Sequence, residues 1–356
     1  MRPLTRAAAA ALLGLLAAAC GRKGSIHPPL VLVPQPVENF RASQRGDRIV
    51  LEWVNPTASI DGSPLVEIGG IEIWASDRAE AIPAGAVLLK DLGAAELATL
   101  PAGGAGGART LLYSFVPQGK DRFGKPLFLA LRVRDARKNR LSEFSPAATV
   151  SYVLVPNPPV DLRVAVAENR VELHWAAPAA NVDGSVPAAF KGYNVYRADS
   201  GGPPVRLNGK PFPERAFDDT DFVFGKTYTY VVRASVTGEE PYAESADSPV
   251  AVVTPMDVFP PAVPGGLTAA SGGSVIMLLW EAGREPDLAG YRVWRRVAGK
   301  SSFEPLTARP VAENTYSDGA AAPGVRYEYA VSAVDKAGNE SARSAAVSEI
   351  LKEPRP

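Results

Sequence analysis

Val171-Glu172-Leu173-His174-Trp175 decides the fold. Val171, Leu173 and Trp175 share one face, and Glu172 and His174 share the other. A period of two marks a half-buried strand, not a helix. The same spacing recurs at Ile49, Leu51 and Trp53, and again at Ile276, Leu278 and Trp280. An apolar residue stands thirteen positions before each tryptophan: Phe40 before Trp53, Leu162 before Trp175, Leu267 before Trp280. Each of those follows a proline-rich break: Val33-Pro34-Gln35-Pro36, Val155-Pro156-Asn157-Pro158-Pro159, and Phe259-Pro260-Pro261-Ala262-Val263-Pro264. Three matches at one offset read as three copies of one module.

The copies continue to agree beyond the tryptophans. Asp61-Gly62-Ser63 and Asp183-Gly184-Ser185 supply tight turns that need a positive φ at glycine. A third strand follows: Gly70-Ile71-Glu72-Ile73-Trp74, Gly192-Tyr193-Asn194-Val195-Tyr196, and Gly290-Tyr291-Arg292-Val293-Trp294. Late in copies two and three, Asp219, Gly225 and Tyr228-Thr229-Tyr230 match Asp318, Gly324 and Tyr327-Glu328-Tyr329. Copy one has Leu127-Phe128-Leu129 there. It also carries an insertion, about 76–110, with a short helix expected near Ala94 to Thr99 and a mobile glycine-rich stretch at 103–107.

These motifs resemble fibronectin type III domains. The likeness implies an all-β chain of three tandem antiparallel β-sandwiches, spanning 36–154, 157–255 and 262–352. Trp53, Trp175 and Trp280 are then core residues. Tyr228 and Tyr327 take the place of the tyrosine whose hydroxyl ties the E–F crossing to backbone, and copy one lacks it.

Two arginines, Arg2 and Arg6, precede an unbroken run of Ala, Leu and Gly from Ala7 to Ala19. A positive region followed by a short apolar run is the pattern of a secretory signal, here 1–19. The run is too short to cross a hydrocarbon core of about 30 Å. Leu16-Ala17-Ala18-Ala19-Cys20 resembles a bacterial lipobox, with Ala17 where that family prefers Leu. The resemblance implies acylation (palmitate among the chains) at Cys20, the single cysteine. Several acyl chains, at about 0.8 kcal/mol per buried CH₂, would anchor the protein stably. Gly21 in place of Asp implies the outer membrane, with the protein facing the periplasm or the cell surface. Residues 20–35, rich in proline, read as a semi-rigid tether. Cys20-Gly21-Arg22-Lys23-Gly24 is also similar to the start of a small lipoprotein that assists maturation of the lipopolysaccharide translocon, with Ser25 where that family has Pro.

Composition narrows function. Lys+Arg and Asp+Glu are both 38, so the basic excess that drives nucleic-acid binding is absent. The two histidines, His27 and His174, form no zinc spacing and no hydrolytic triad. No cofactor, metal or catalytic residue is expected. Asp218, Asp219 and Asp221 fall short of the six to eight oxygens that calcium takes. Arg45-Gly46-Asp47 spells an adhesive tripeptide, but it falls at the A–B turn of the repeat.

The candidate interaction residues are of two kinds. Met277 and Leu279 lie on the strand face where the other copies carry polar groups, so a neighbour or partner is expected to cover them. Arg137, Lys138 and Arg140 form a basic F–G turn suited to an anionic contact. The reading is a non-catalytic, lipid-anchored scaffold of the bacterial envelope that binds a protein partner. The alternatives are a carbohydrate-binding or adhesive surface module, with Tyr242 as a sugar-stacking candidate, and an assembly factor for the lipopolysaccharide machinery.

Overall fold

The computed structural model describes residues 33–78, 82, 84–103, 109–118, 124–199 and 201–352. The signal segment, Cys20 and most of the tether therefore lie outside the described residues, as do 104–107 of the glycine-rich stretch.

In copy one the elements are β1 (Arg41–Arg45), β2 (Arg48–Val54), β3 (Ile68–Ser76), β4 (Val87–Gly93), α1 (Ala94–Thr99), β5 (Ala102–Gly103), β6 (Thr110–Phe115), β7 (Pro126–Asp135) and β8 (Ala148–Ser151). One sheet runs β1-β2-β6-β5 and the other β4-β3-β7-β8. Helix α1 stands where the sequence placed it, with Leu97 buried.

Copy two contains β9 (Val160–Ala167), β10 (Arg170–Ala176), β11 (Gly192–Asp199), β12 (Val205–Arg206), β13 (Ala216–Asp219), β14 (Tyr228–Ser235), β15 (Ala243–Glu244) and β16 (Ala251–Val253). Its sheets are β13-β10-β9 and β12-β11-β14, with β16 also on β14. Copy three contains β17 (Thr268–Gly272), β18 (Val275–Leu279), β19 (Leu288–Val297), β20 (Glu304–Pro305), β21 (Thr315–Asp318), β22 (Arg326–Asp335) and β23 (Val347–Ile350). It forms β17-β18-β21 and β20-β19-β22-β23. A three-stranded A-B-E sheet facing a C′-C-F-G sheet is thus built in both copies. The chain is all-β, made of antiparallel sandwiches.

The chain also falls into two compact units. One comprises Met1–Asn157, Ala179–Gly192 and Ala234–Ala246; the other comprises Pro158–Pro178, Tyr193–Arg233 and Asp247–Pro356. The first unit thus takes in two segments of copy two. The cause of one is a strand pairing: β15 adds to β1 in parallel, Gln44 opposite Ala243 and Arg45 opposite Glu244. The Gln44 side chain is 1% exposed. Its Nε2 donates to the Gly46 and Val153 carbonyls, and its Oε1 accepts the Val153 N–H. The Gln44 and Gly46 N–H groups donate to the carbonyls of Tyr242 and Glu244.

Each tryptophan of the second strand is buried: Trp53, Trp175 and Trp280. Trp175 meets Tyr193 edge-on at 5.3 Å, and Trp280 meets Tyr291 at 5.2 Å. In copy one Ile71 stands at the tyrosine's place in the repeat and shares the core with Trp53, whose indole N–H donates to Asn55 at 2.9 Å. Tyr228 Oη accepts the Val223 N–H at 2.9 Å, and Tyr327 Oη accepts the Ala322 N–H at 3.3 Å. Leu127 stands there in copy one and joins the apolar core. Gly70 and Gly290 sit at register shifts in their strands. A Cβ on Gly290 would collide with the Val311 carbonyl, and one on Gly70 would lie 2.8 Å from the Leu92 oxygen. Only glycine fits such close backbone approach.

A polar lock crosses between the sheets in copies two and three. Asp219 Oδ2 accepts Arg197 at 2.8 Å and the Tyr230 hydroxyl at 2.7 Å. Asp318 Oδ2 accepts Arg295 at 2.8 Å and the Tyr329 hydroxyl at 2.8 Å. Burial, then the bond to the carboxylate, pushes both phenols far above their usual pKa. Asp219 faces Val171 and Asp318 faces Ile276 across the strand pair, whereas Phe115 faces Ile49 in copy one. Ala75 and Leu129, both buried, stand at the arginine and tyrosine positions of copy one. The polar lock is therefore present whole or replaced whole by apolar groups, as expected when a half-satisfied buried network costs more than none.

This predicts that Asp318→Ala, which strands Arg295 and Tyr329 without their acceptor, destabilises copy three by about 3 kcal/mol. The triple change Asp318→Phe, Arg295→Ala, Tyr329→Leu, which installs copy one's set, should cost clearly less. Urea unfolding of the two variants distinguishes the outcomes. A triple variant less stable than the single one would show that the lock is a net stabiliser.

Candidate interaction surfaces

The F–G turn of copy one is built by its aspartate. Asp135 Oδ1 accepts the N–H groups of Arg137 and Lys138, at 2.8 and 2.7 Å, and Oδ2 accepts that of Arg140 at 2.9 Å. Asn139 takes φ 52°, a left-handed turn position. With Asp135 folded inward, Arg137 and Lys138 project into solvent, and Arg140 is half-buried. Arg134, one step before, is spent on Asp91 at 2.6 Å and on Glu72.

Met277 and Leu279 are 57% and 52% exposed. Ala270 and Ser317 flank Met277 across the sheet, and Thr268 and Thr315 flank Leu279. Among the described residues nothing covers this face.

Tyr242 is buried, which removes it as a sugar platform. It sits in the hairpin whose next two residues form β15, and its carbonyl receives Gln44. A half-buried aromatic ring lined by charged groups stands in copy three. Trp294 is half-buried, with the Arg343 guanidinium 4.3 Å above its ring. Its Nε1 donates to Ser332 Oγ, which in turn donates to Glu340, and Glu340 also receives Arg292. Arg343 and Arg296 lie over the Phe303 ring at 5.4 and 4.4 Å. Trp294, Glu340 and Arg343 line one groove.

The adhesive tripeptide is not displayed as a loop. Gly46 is buried at φ 60°, its N–H donates to Glu244, and a Cβ there would lie 3.5 Å from Ala246. Asp219 is consumed by the lock, which accounts for one of the three acids near 218–221. A different trio, Asp257, Asp287 and Asp335, brings carboxylate oxygens within 4.8 Å of one another. Asn339 bridges two of them, donating to Asp335 at 2.8 Å and to the Asp257 side chain at 3.4 Å. Three carboxylates are few for calcium. The trio is not legible in the sequence because Asp257 lies in a linker, Asp287 in a turn and Asp335 at the end of β22. His174 is exposed on its strand.

A repeated signal that did go unread is Ser-x-x-Ser after the F strand. Ser142 and Ser145 accept the N–H groups of Val133 and Leu131; Ser245 and Ser248 accept those of Ala234 and Val232; Ser341 and Ser344 accept those of Ala333 and Val331. Hydroxyls there satisfy strand donors where no backbone carbonyl does.

No family model matches the chain. Its first 31%-identical relative is exoglucanase B of Cellulomonas fimi, aligned over 217 residues, which are 58% of this chain and 18% of the relative. Amylopullulanase of Thermoanaerobacterium saccharolyticum is 33% identical over 88 residues, 25% of this chain and 7% of that protein. The chain thus spans less than a fifth of the curated relatives it matches. Among solved structures, the chicken CNTN1 FN1–FN3 domains align with 90% of this chain and all of theirs, at 16% identity and TM-score 0.27. A two-domain fibronectin type III segment of chicken tenascin aligns with 55% of this chain and all of its own, at 19% identity and TM-score 0.35. The sandwiches are fibronectin type III-like. The assignment rests on the A-B-E and C′-C-F-G sheets, the buried tryptophan and the tyrosine tied to backbone.

The F–G turn has a pH signature. Burial pushes the Asp135 carboxyl up, but the N–H groups of Lys138, Arg140 and Arg137 together outweigh it and hold the group below its usual range. The folded pKa then lies under the unfolded value of about 3.9. Its stabilising contribution is complete above that value and is lost as pH falls through the folded pKa. Melting of Asp135→Asn against the native chain should show a gap at pH 7 that narrows below about pH 4. A gap that stays constant down to acid unfolding would contradict the assignment.

Proposed function

We propose that the chain is a non-catalytic binding and scaffolding lipoprotein of the bacterial cell envelope, held by acylated Cys20 and offering its sandwich surfaces to an envelope protein. The observation that carries this reading is the joint around Gln44. A hairpin of one sandwich adds a strand to the edge of another through backbone hydrogen bonds, and the buried Gln44 amide holds that edge to the Val153 segment of its own sandwich. Scaffolds that present surfaces in a set register need such joints. The acids of the lock, which elsewhere are common in catalysis, are committed here to holding sheets together.

A second reading, a carbohydrate-associated module, draws on two observations. The relatives named above are an exoglucanase and an amylopullulanase. The groove of Trp294, Arg343 and Glu340 combines an aromatic ring with charged hydrogen-bonding groups. The ring already carries a guanidinium, so sugar stacking would require Arg343 to move aside.

Metabolic labelling with palmitate, and in-cell crosslinking of the native chain and Cys20→Ser, test the first reading. Label on the native chain only, with one dominant envelope protein captured and then lost in Cys20→Ser, is the expected result. A labelled, membrane-bound chain that captures no protein would turn the assignment toward glycan binding. An unlabelled native chain would remove the anchor.

A further inference from the structure

We infer that the F–G turn of copy one is a docking surface for the anionic lipid headgroups of the leaflet that holds Cys20, an inference that rests on the lipid anchor proposed above. Three observations converge on that end of the first sandwich.

The first is where the chain enters. Val33 O accepts the Ile60 N–H at 2.9 Å, Gln35 N–H donates to Ala58 at 3.0 Å, and Pro34 bridges Ser59. The described chain therefore begins against the B–C loop. The F–G turn lies beside the same loop, because the Ala136 N–H donates to the Glu67 carbonyl at 3.2 Å. Strand β2 runs from the A–B turn, where the Gln44 joint sits, to this loop. Its seven residues put the two ends about 20 Å apart. The basic turn is thus at the end where the described chain enters the sandwich, and the joint is at the other.

The second is reach. Twelve residues stand between Cys20 and Val33, thirteen Cα steps, so Val33 can stand no farther than about 45 Å from the anchor.

The third is chemistry. Arg137 and Lys138 are exposed, and Asp135, the carboxylate between them and the strand, is sealed by backbone N–H groups. Ile60 and Val66, on the B–C loop of the same end, are 55% and 67% exposed. Apolar side chains beside cations suit a headgroup interface. The loop's own acids are Asp61, which is turned onto Ser63, and Glu67. The turn is basic only in the copy that follows the tether. Copy two has Thr237-Gly238-Glu239-Glu240 there, and the one lysine of copy three's turn, Lys336, is tied to the Pro286 carbonyl.

The test separates this surface from the anchor by using the full chain carrying Cys20→Ser. Its sedimentation is measured with phosphatidylglycerol–phosphatidylcholine vesicles and with phosphatidylcholine alone, at low and high salt. Salt-sensitive binding to the anionic vesicles is expected. Arg137→Gln, Lys138→Gln and Arg140→Gln together should weaken it on the order of a hundredfold, three cations at about fivefold each. Arg137→Lys with Arg140→Lys should restore it, and circular dichroism checks the fold of each variant. No anionic binding, equal binding to phosphatidylcholine, or binding untouched by the triple change would overturn the inference. Binding to polygalacturonate but not to vesicles would overturn it in favour of an acidic glycan. Palmitate labelling reports the anchor separately, so failure of one is not mistaken for failure of the other.

Discussion

A buried carboxylate that accepts a guanidinium and a phenol holds the two sheets of copies two and three together. With one cysteine in the chain, no intrachain disulfide can do so. Asp219 and Asp318 each come from the A-B-E sheet, while their arginine and tyrosine partners come from the facing one. Breaking such a set is costly because it leaves a charge in low dielectric, so its members survive or vanish together. Copy one shows the other solution: Phe115, Ala75 and Leu129 fill the same space without polarity. One backbone plan thus tolerates an ionic or an apolar closure.

The outer face of the C′-C-F-G sheet obeys a similar rule of exchange. In copy one Arg132 lies over Phe144, which meets Trp74 edge-on. In copy two Arg233 lies 3.9 Å over Tyr196 and pairs with Asp247. In copy three Ser332 takes the F-strand place, and Arg343, from the following segment, covers Trp294 instead. A guanidinium over an aromatic ring is retained while its source strand changes. Desolvating a flat ring beside a delocalised cation stabilises the face without demanding one sequence.

The strand period, the tryptophans and the glycines were legible because each answers to a local rule. A side chain on every second residue marks a strand, and a glycine repeated before a strand marks close backbone approach, here at Gly70 and Gly290. The basic turn was legible too, since Arg137 and Lys138 stand in a hairpin tip whatever its surroundings. Tyr242 was misread because its burial depends on a hairpin from one copy meeting a strand of another. The same long-range pairing buries Gly46, which the repeat had already placed in the A–B turn. Trp294 and Arg343 are forty-nine residues apart in sequence, and no local pattern foretells that they stack.

The joint at Gln44 matters most, because the proposed scaffold needs the strand that β15 adds to β1 to persist. Hydrogen exchange at single amides measures this directly. The Gln44 and Gly46 N–H groups, which donate to Tyr242 and Glu244, should exchange as slowly as Leu51 in the core strand. Exchange as fast as that of the exposed turn residue Lys138 would show that the strand addition does not persist, and the scaffold reading would lose its support.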